Sequence, residues 1–272
     1  MATAQMIASL SVTERHILDL WAAVLATGAG SVISHRSAGY LHGMADYGTA
    51  SQGVVLSRAS GRTSPDRYDG LIVQRAALPT RDVTVVGGLP VTTVERTAVD
   101  VAREGSLRAG VVAVDSALRL GATLADLERV LDGQRGWPGV RTARQSWLLG
   151  DVASESPLES LAHVFQFETG IDRPLTQVNV YDDDGLIGRV DDFWPAFATV
   201  GESDGMIKYE DSSALRFEKL RQERLERAGL QVVRVTNHDV TRDVVRTEAR
   251  YRAAFDRGLR ALNSHPRPRF TW

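Results

Sequence analysis

Apolar residues recur along this chain at two spacings, and the change between them predicts its elements. Ile17, Leu18, Trp21 and Leu25 fall three or four apart. That spacing predicts a helix over 11–27, with Ser11 or Thr13 as its cap. A second helix is predicted from Ser34 to His42, ending at Gly43. Residues 45–91 are rich in Gly, Ser and Pro, with short β-like runs at Gly53–Leu56, Leu71–Gln74 and Val83–Val86. The helical period then returns. Thr92-Thr93-Val94-Glu95 reads as a capping box in which Glu95 reaches back to the Thr92 amide. Further helices are expected through Val101 and over Val111–Leu120, Leu124–Leu131 and Val140–Leu149.

Near residue 150 the pattern changes, and we place a domain boundary there, giving 1–150 and 151–272. Pro157 takes the first position of a helix that runs to Glu168. Strands are predicted at Leu175–Tyr181, Leu186–Trp194 and Ala198–Ser203, with Asp182-Asp183-Asp184-Gly185 as a hairpin turn. A helix over Ser212–Ala228, a strand at Gln231–Val235 and a long helix from Asn237 to about Leu262 complete the pattern. The segment from Ser264, which carries Pro266 and Pro268, is expected to be mobile. The fold class that follows is α/β, in two mixed domains.

Composition narrows the chemistry. The chain of 272 residues has no cysteine, which excludes disulfides, zinc–thiolate sites and cysteine nucleophiles. Its net charge of −2 gives no global nucleic-acid signature. The absence of a long apolar run or a signal peptide leads to an expected cytoplasmic location. Within 1–150 no Walker-type phosphate loop and no supported Ser-His-Asp arrangement is apparent. The helix over Ser212–Ala228 carries Arg216, Lys219, Arg221, Arg224 and Arg227. These either contact phosphate or pair within the helix, as Glu218 with Arg221 and Glu223 with Arg227. His35 and His42, seven apart, fall on one helical face and are read as packing and capping residues, with a metal or proton-transfer pair as the alternative.

The most informative acids lie on the second and third strands of 151–272. A tight hairpin centred on Ala196-Phe197 pairs Asp191 with Glu202. Directly opposed side chains lie roughly 5 Å apart at Cβ, and like charges there repel. A positive charge is therefore expected between them, with Mg2+ (or Mn2+) as the simplest candidate. The same register sets Asp204 opposite Arg189, a cross-strand ion pair.

Asp191 followed, after ten residues, by Glu202-Ser203-Asp204 resembles the PD-(D/E)XK nuclease superfamily. More closely, Glu155-Ser156-Pro157-Leu158-Glu159, Gly188-Arg189-Val190-Asp191, Gly201-Glu202-Ser203-Asp204-Gly205, Lys208-Tyr209 and Val232-Val233-Arg234-Val235-Thr236 resemble very-short-patch-repair-type endonuclease domains. The resemblance implies a restriction-endonuclease-like fold, a central mixed sheet flanked by helices. It also implies Mg2+-dependent hydrolysis of DNA phosphodiesters, with Asp191 and Glu202 as metal ligands, Glu159 assisting and Lys208 contacting phosphate. Asp204 stands where that superfamily often has lysine.

In the first part, Ser34-His35-Arg36-Ser37-Ala38, Leu41-His42-Gly43, Gly88-Leu89-Pro90-Val91-Thr92-Thr93, Glu95-Arg96-Thr97 and Asp100 resemble the AbiEi class of bacterial antitoxins. That resemblance implies a cognate toxin as partner. The full winged helix expected ahead of this portion is not evident. The alternative to an endonuclease is thus a non-catalytic antitoxin or DNA-binding regulator with a degenerate nuclease-like domain.

Overall fold

The computed structural model describes residues 10–48, 53–60, 64–205, 212–262 and 269–271, without the side chains of 212–215. Lys208 lies outside the described residues. The chain forms two compact units, Met1–Gly150 and Asp151–Trp272. Each holds a mixed sheet flanked by helices.

In the first unit, α1 (Val12–Thr27) starts at Ser11, which forms a reciprocal capping box with Glu14. Strand β1 (Ser31–Ile33) leads into α2 (His35–His42), which ends on left-handed Gly43. Strands β2 (Val54–Ala59), β3 (Asp66–Tyr68), β4 (Leu71–Ala76), β5 (Val83–Val86) and β6 (Leu89–Thr92) complete a sheet of order β3-β4-β2-β1-β6-β5. Pairing is parallel for β2/β4 and β1/β6 and antiparallel elsewhere. Leu20, Ile33, Leu56 and Val91 form the core between this sheet and the first two helices.

Four helices follow: α3 (Val94–Glu104), α4 (Leu107–Arg119), α5 (Leu124–Gly133) and α6 (Val140–Leu149). Ala98, Val99, Val114, Leu118, Leu127 and Leu131 form their own core. The cap of α3 is Thr93, which accepts from the Arg96 amide. This corrects the predicted start by one residue. Thr92 closes strand β6, and its hydroxyl bonds to that of Thr97 at 2.7 Å. Glu95 reaches Arg129 instead, at 3.1 Å.

In the second unit, α7 (Pro157–Thr169) is capped by Ser156 and has Pro157 in its first turn. Strands β7 (Leu175–Asp182), β8 (Gly185–Trp194) and β9 (Thr199–Ser203) run antiparallel in sequence. After α8 (Ser212–Arg227), strand β10 (Gln231–Val235) joins β9 in parallel. The predicted long last helix is two, α9 (Asn237–Thr241) and α10 (Val244–Leu262). The amides of Arg242 and Asp243 both turn back to the His238 carbonyl, which ends α9. Within the segment expected to be mobile, Arg269–Thr271 forms β11 and pairs with β7. The sheet order is β10-β9-β8-β7-β11. Among the described residues no helix is long and apolar enough to cross a membrane.

Candidate functional site

The β8–β9 register decides which acids meet. Asp192 pairs with Gly201, Phe193 with Val200 and Trp194 with Thr199. This is the register predicted around Ala196-Phe197, and it sets Asp191 level with Glu202. Their shared face is crossed by α8. Arg221 Nη2 donates to Glu202 Oε1 at 2.7 Å and Nη1 to Oε2 at 3.3 Å. The same guanidinium donates to the Arg189 carbonyl at 2.8 Å. Gly188 leaves room for it, since a Cβ there would lie 2.7 Å from Arg221 Nε. The positive charge beside the strand acids is therefore an arginine on the neighbouring helix. The fork geometry of guanidinium suits a carboxylate better than a point charge would. Of the two roles read for α8 from sequence, pairing within the helix is present for Arg221 with Glu218 at 3.4 Å. The pair with Glu202 needed the tertiary structure to be seen.

Burial raises the Asp191 carboxyl to about 6, the Ser203 amide opposes this, and Glu202, Glu159 and Asp192 push it further up. Ser203 N donates to Asp191 Oδ2 at 2.8 Å. Burial also raises the Glu202 carboxyl, against the hydrogen bonds from Arg221. Glu159 is held in the first turn of α7. It accepts from the Glu155 amide at 2.9 Å, from Ser156 Oγ at 2.7 Å and from Gln177 Nε2 at 2.9 Å. Gln177 has φ 53° within strand β7, a conformation that costs a side-chain-bearing residue energy and often marks a site. The three predicted acids are thus electrostatic neighbours, but both oxygens of Glu159 and of Glu202 already accept hydrogen bonds. A dication on Glu202 would compete with Arg221 for the same carboxylate. Among the described residues no group of three or more His, Asp and Glu side chains is arranged to hold a metal ion.

The opposite face of β8 carries a feature that the sequence reading missed. Asp192 is 3% exposed. It accepts from His163 Nε2 at 3.0 Å and from Gln166 Nε2 at 2.6 Å, both on α7. Ser154 Oγ lies 3.3 Å from the other ring nitrogen of His163. Ser154 is itself buried, so this Ser-His-Asp chain fixes α7 to the sheet and offers no open nucleophile. His163 and Gln166, three apart on an amphipathic helix, were the available signal. The expected Arg189–Asp204 pair is not formed. Arg189 pairs with Glu155 at 2.7 Å, and the Asp204 amide, just past the end of β9, donates to the Val235 carbonyl at 2.8 Å.

The first unit contains a buried charge network around Arg96, which is 2% exposed. Arg96 pairs with Asp100 at 2.7 Å and with Asp82 at 3.2 Å, and Asp82 also takes Arg129 at 2.9 Å. Burial opposes the charge of Asp100, yet His35, Arg96 and Arg103 hold its carboxyl below the usual range. His35 and His42 do not share a site. His42 Nε2 donates to the Thr92 carbonyl at 2.7 Å, whereas His35 Nδ1 meets Ser34 Oγ at 2.9 Å.

Comparisons with known proteins find relatives and a family match. Two proteins of Mycobacterium tuberculosis, one from strain CDC 1551 / Oshkosh and one from strain H37Rv, are each 28% identical over 166 residues. The match covers 61% of this chain and 61% of theirs, and each is named only as an uncharacterized protein. Residues 29–150, from the approach to β1 through the end of α6, match the family of AbiEi antitoxin C-terminal domains.

Proposed function

We propose that this chain is a non-catalytic, antitoxin-type regulator acting in a toxin–antitoxin setting, with a cognate toxin as partner. The observation that carries this reading is the family match over residues 29–150, which takes in the first sheet from β1 onward and all four following helices. The second unit supports it through the Arg221–Glu202 pair, a satisfied structural contact where a metal-dependent nuclease needs an open ligand.

One observation favours a second reading, Mg2+- or Mn2+-dependent hydrolysis of DNA. The Asp191 carboxyl is raised by burial and by three other acids, Glu202, Glu159 and Asp192, and a cation would relieve that repulsion. The two readings separate in one pair of measurements. Co-expression with the product of the adjacent gene tests growth rescue, and the purified full chain tests nicking of supercoiled plasmid with Mg2+. Restored growth and intact plasmid are expected. Unrelieved toxicity, together with nicking that Glu202→Ala abolishes, would overturn the regulator.

A further inference from the structure

The first unit holds a cleft of about 1120 Å3 that neither reading uses. It is large enough for a nucleotide-sized ligand, since small-molecule sites run to roughly 300–1,000 Å3. Five arginines line it against two acids, Asp100 and Glu104. Within it three buried nitrogens have no hydrogen-bond partner: His35 Nε2, Arg36 Nε and Arg103 Nε. Buried polar atoms are almost always satisfied, so three unsatisfied ones in a single cleft call for a ligand.

The donors are fixed by their surroundings. Ser57 Oγ donates to Ser34 Oγ at 2.8 Å, and Ser34 Oγ lies 2.9 Å from His35 Nδ1, which fixes the ring. On the other side of the ring, Nε2 lies 3.4 Å from the Glu104 carboxylate, which favours a proton on it. His35 is 4% exposed and has φ 54°, a left-handed backbone unusual for a residue with a side chain. Arg103 is held over the Trp137 ring at 5.0 Å and donates Nη1 to the Pro138 carbonyl at 2.7 Å. That close approach depends on Gly139, where a Cβ would lie 1.9 Å from the Arg103 carbonyl oxygen. The Nε atoms of Arg36 and Arg103 are unmatched donors, His35 Nε2 has only Glu104 near it, and the natural complement of such donors is a group that only accepts.

We propose that this cleft binds the phosphoryl group of a nucleotide-sized ligand, with His35, Arg36 and Arg103 as its donors. A phosphoryl group offers several acceptor oxygens to donors arriving from different directions, and guanidinium suits it. The volume exceeds what a small carboxylate would fill. The inference does not depend on the antitoxin reading.

The test is calorimetry of the full chain with ATP, with inorganic phosphate as competitor and a short oligothymidylate as a separate titrant. One ATP is expected to bind per chain, weakened by phosphate. Arg36→Ala should weaken it about tenfold or more, the loss of one charge-assisted hydrogen bond. Arg141→Ala, at an exposed position on α6 that does not line the cleft, should leave it unchanged. His35→Asn provides a second variant, because asparagine tolerates the left-handed backbone. It should weaken ATP as well, and in the parent the His35 ring resonances should move on titration. No ATP binding, ATP binding equal in Arg36→Ala and Arg141→Ala, or binding of the oligothymidylate alone would each overturn the proposal.

Discussion

A half-buried carboxylate in the second unit and a fully buried one in the first give opposite pH signatures. Asp191 is raised from 3.8 to about 6, first by burial and then by its acidic neighbours. Between those values the folded state holds a proton that the unfolded chain has released, so this group's contribution to stability falls as pH rises through the window. Asp191→Asn keeps an acceptor for the Ser203 amide and removes the charge. It is expected to gain about 1 kcal/mol near pH 7 and little at pH 4, a figure discounted from the full shift for solvent screening. Urea denaturation at the two pH values measures the difference, and equal changes at both would contradict it. Asp100 has the reverse sign. Its carboxyl is lowered, so its contribution is complete above the ordinary value of 3.8 and is lost as pH falls below it. Arg96→Met removes the buried cation that Asp100 and Asp82 share, leaving Arg103 beside the one and Arg129 on the other, and should cost about 3 kcal/mol at neutral pH. The loss should shrink in acid as Asp100 takes up a proton. A loss independent of pH would assign Arg96 to packing alone.

At the scale of elements, strong periodicity and cap chemistry read well from sequence, while tertiary pairing did not. Ser11 with Glu14, Pro157 and Gly43 carry local signals strong enough to set helix ends within a residue or two. Strands β1 and β11 are three residues long, and their pairing partners, β2 and β6 for the one and β7 for the other, lie elsewhere in the chain. No window of their own sequence could reveal them. The Asp191–Glu202 register was legible because a hairpin ties it to the turn. Arg221 as the counter-ion was not, since α8 meets β9 only through the tertiary fold. The break between α9 and α10 also lacks a Pro or Gly to announce it. Gly258 shows how such packing constrains α10. A Cβ there would lie 1.7 Å from the Phe197 carbonyl, at the turn between β8 and β9. Gly258→Ala should therefore push α10 away from that turn and cost about 3 kcal/mol or more, read from the denaturation midpoint. Parent-like stability would show that the turn yields at little cost.

Over the whole chain, the two units carry separable assignments, and charge placement makes them testable. The antitoxin-like match stops at residue 150, while the acids read from sequence as a metal site lie beyond it. If the regulator reading is right, growth rescue depends on the first unit, and the strand acids serve the fold of the second. Glu202→Gln is the informative change. It keeps an acceptor for Arg221 and neutralises the charge that a metal ligand would need. Rescue by Glu202→Gln is expected to match the parent, with at most about 1–2 kcal/mol lost from the weakened Arg221 pair. Arg221→Met extends the test, because it strands Glu202 beside Asp191. Its stability should then recover in part with millimolar Mg2+, a hard cation that can take the guanidinium's place between two carboxylates. The parent should show no such gain, since Arg221 already balances the pair. Equal stabilisation of parent and variant by Mg2+ would mean that the cation binds without displacing the arginine, and the acids would regain their standing as a metal centre.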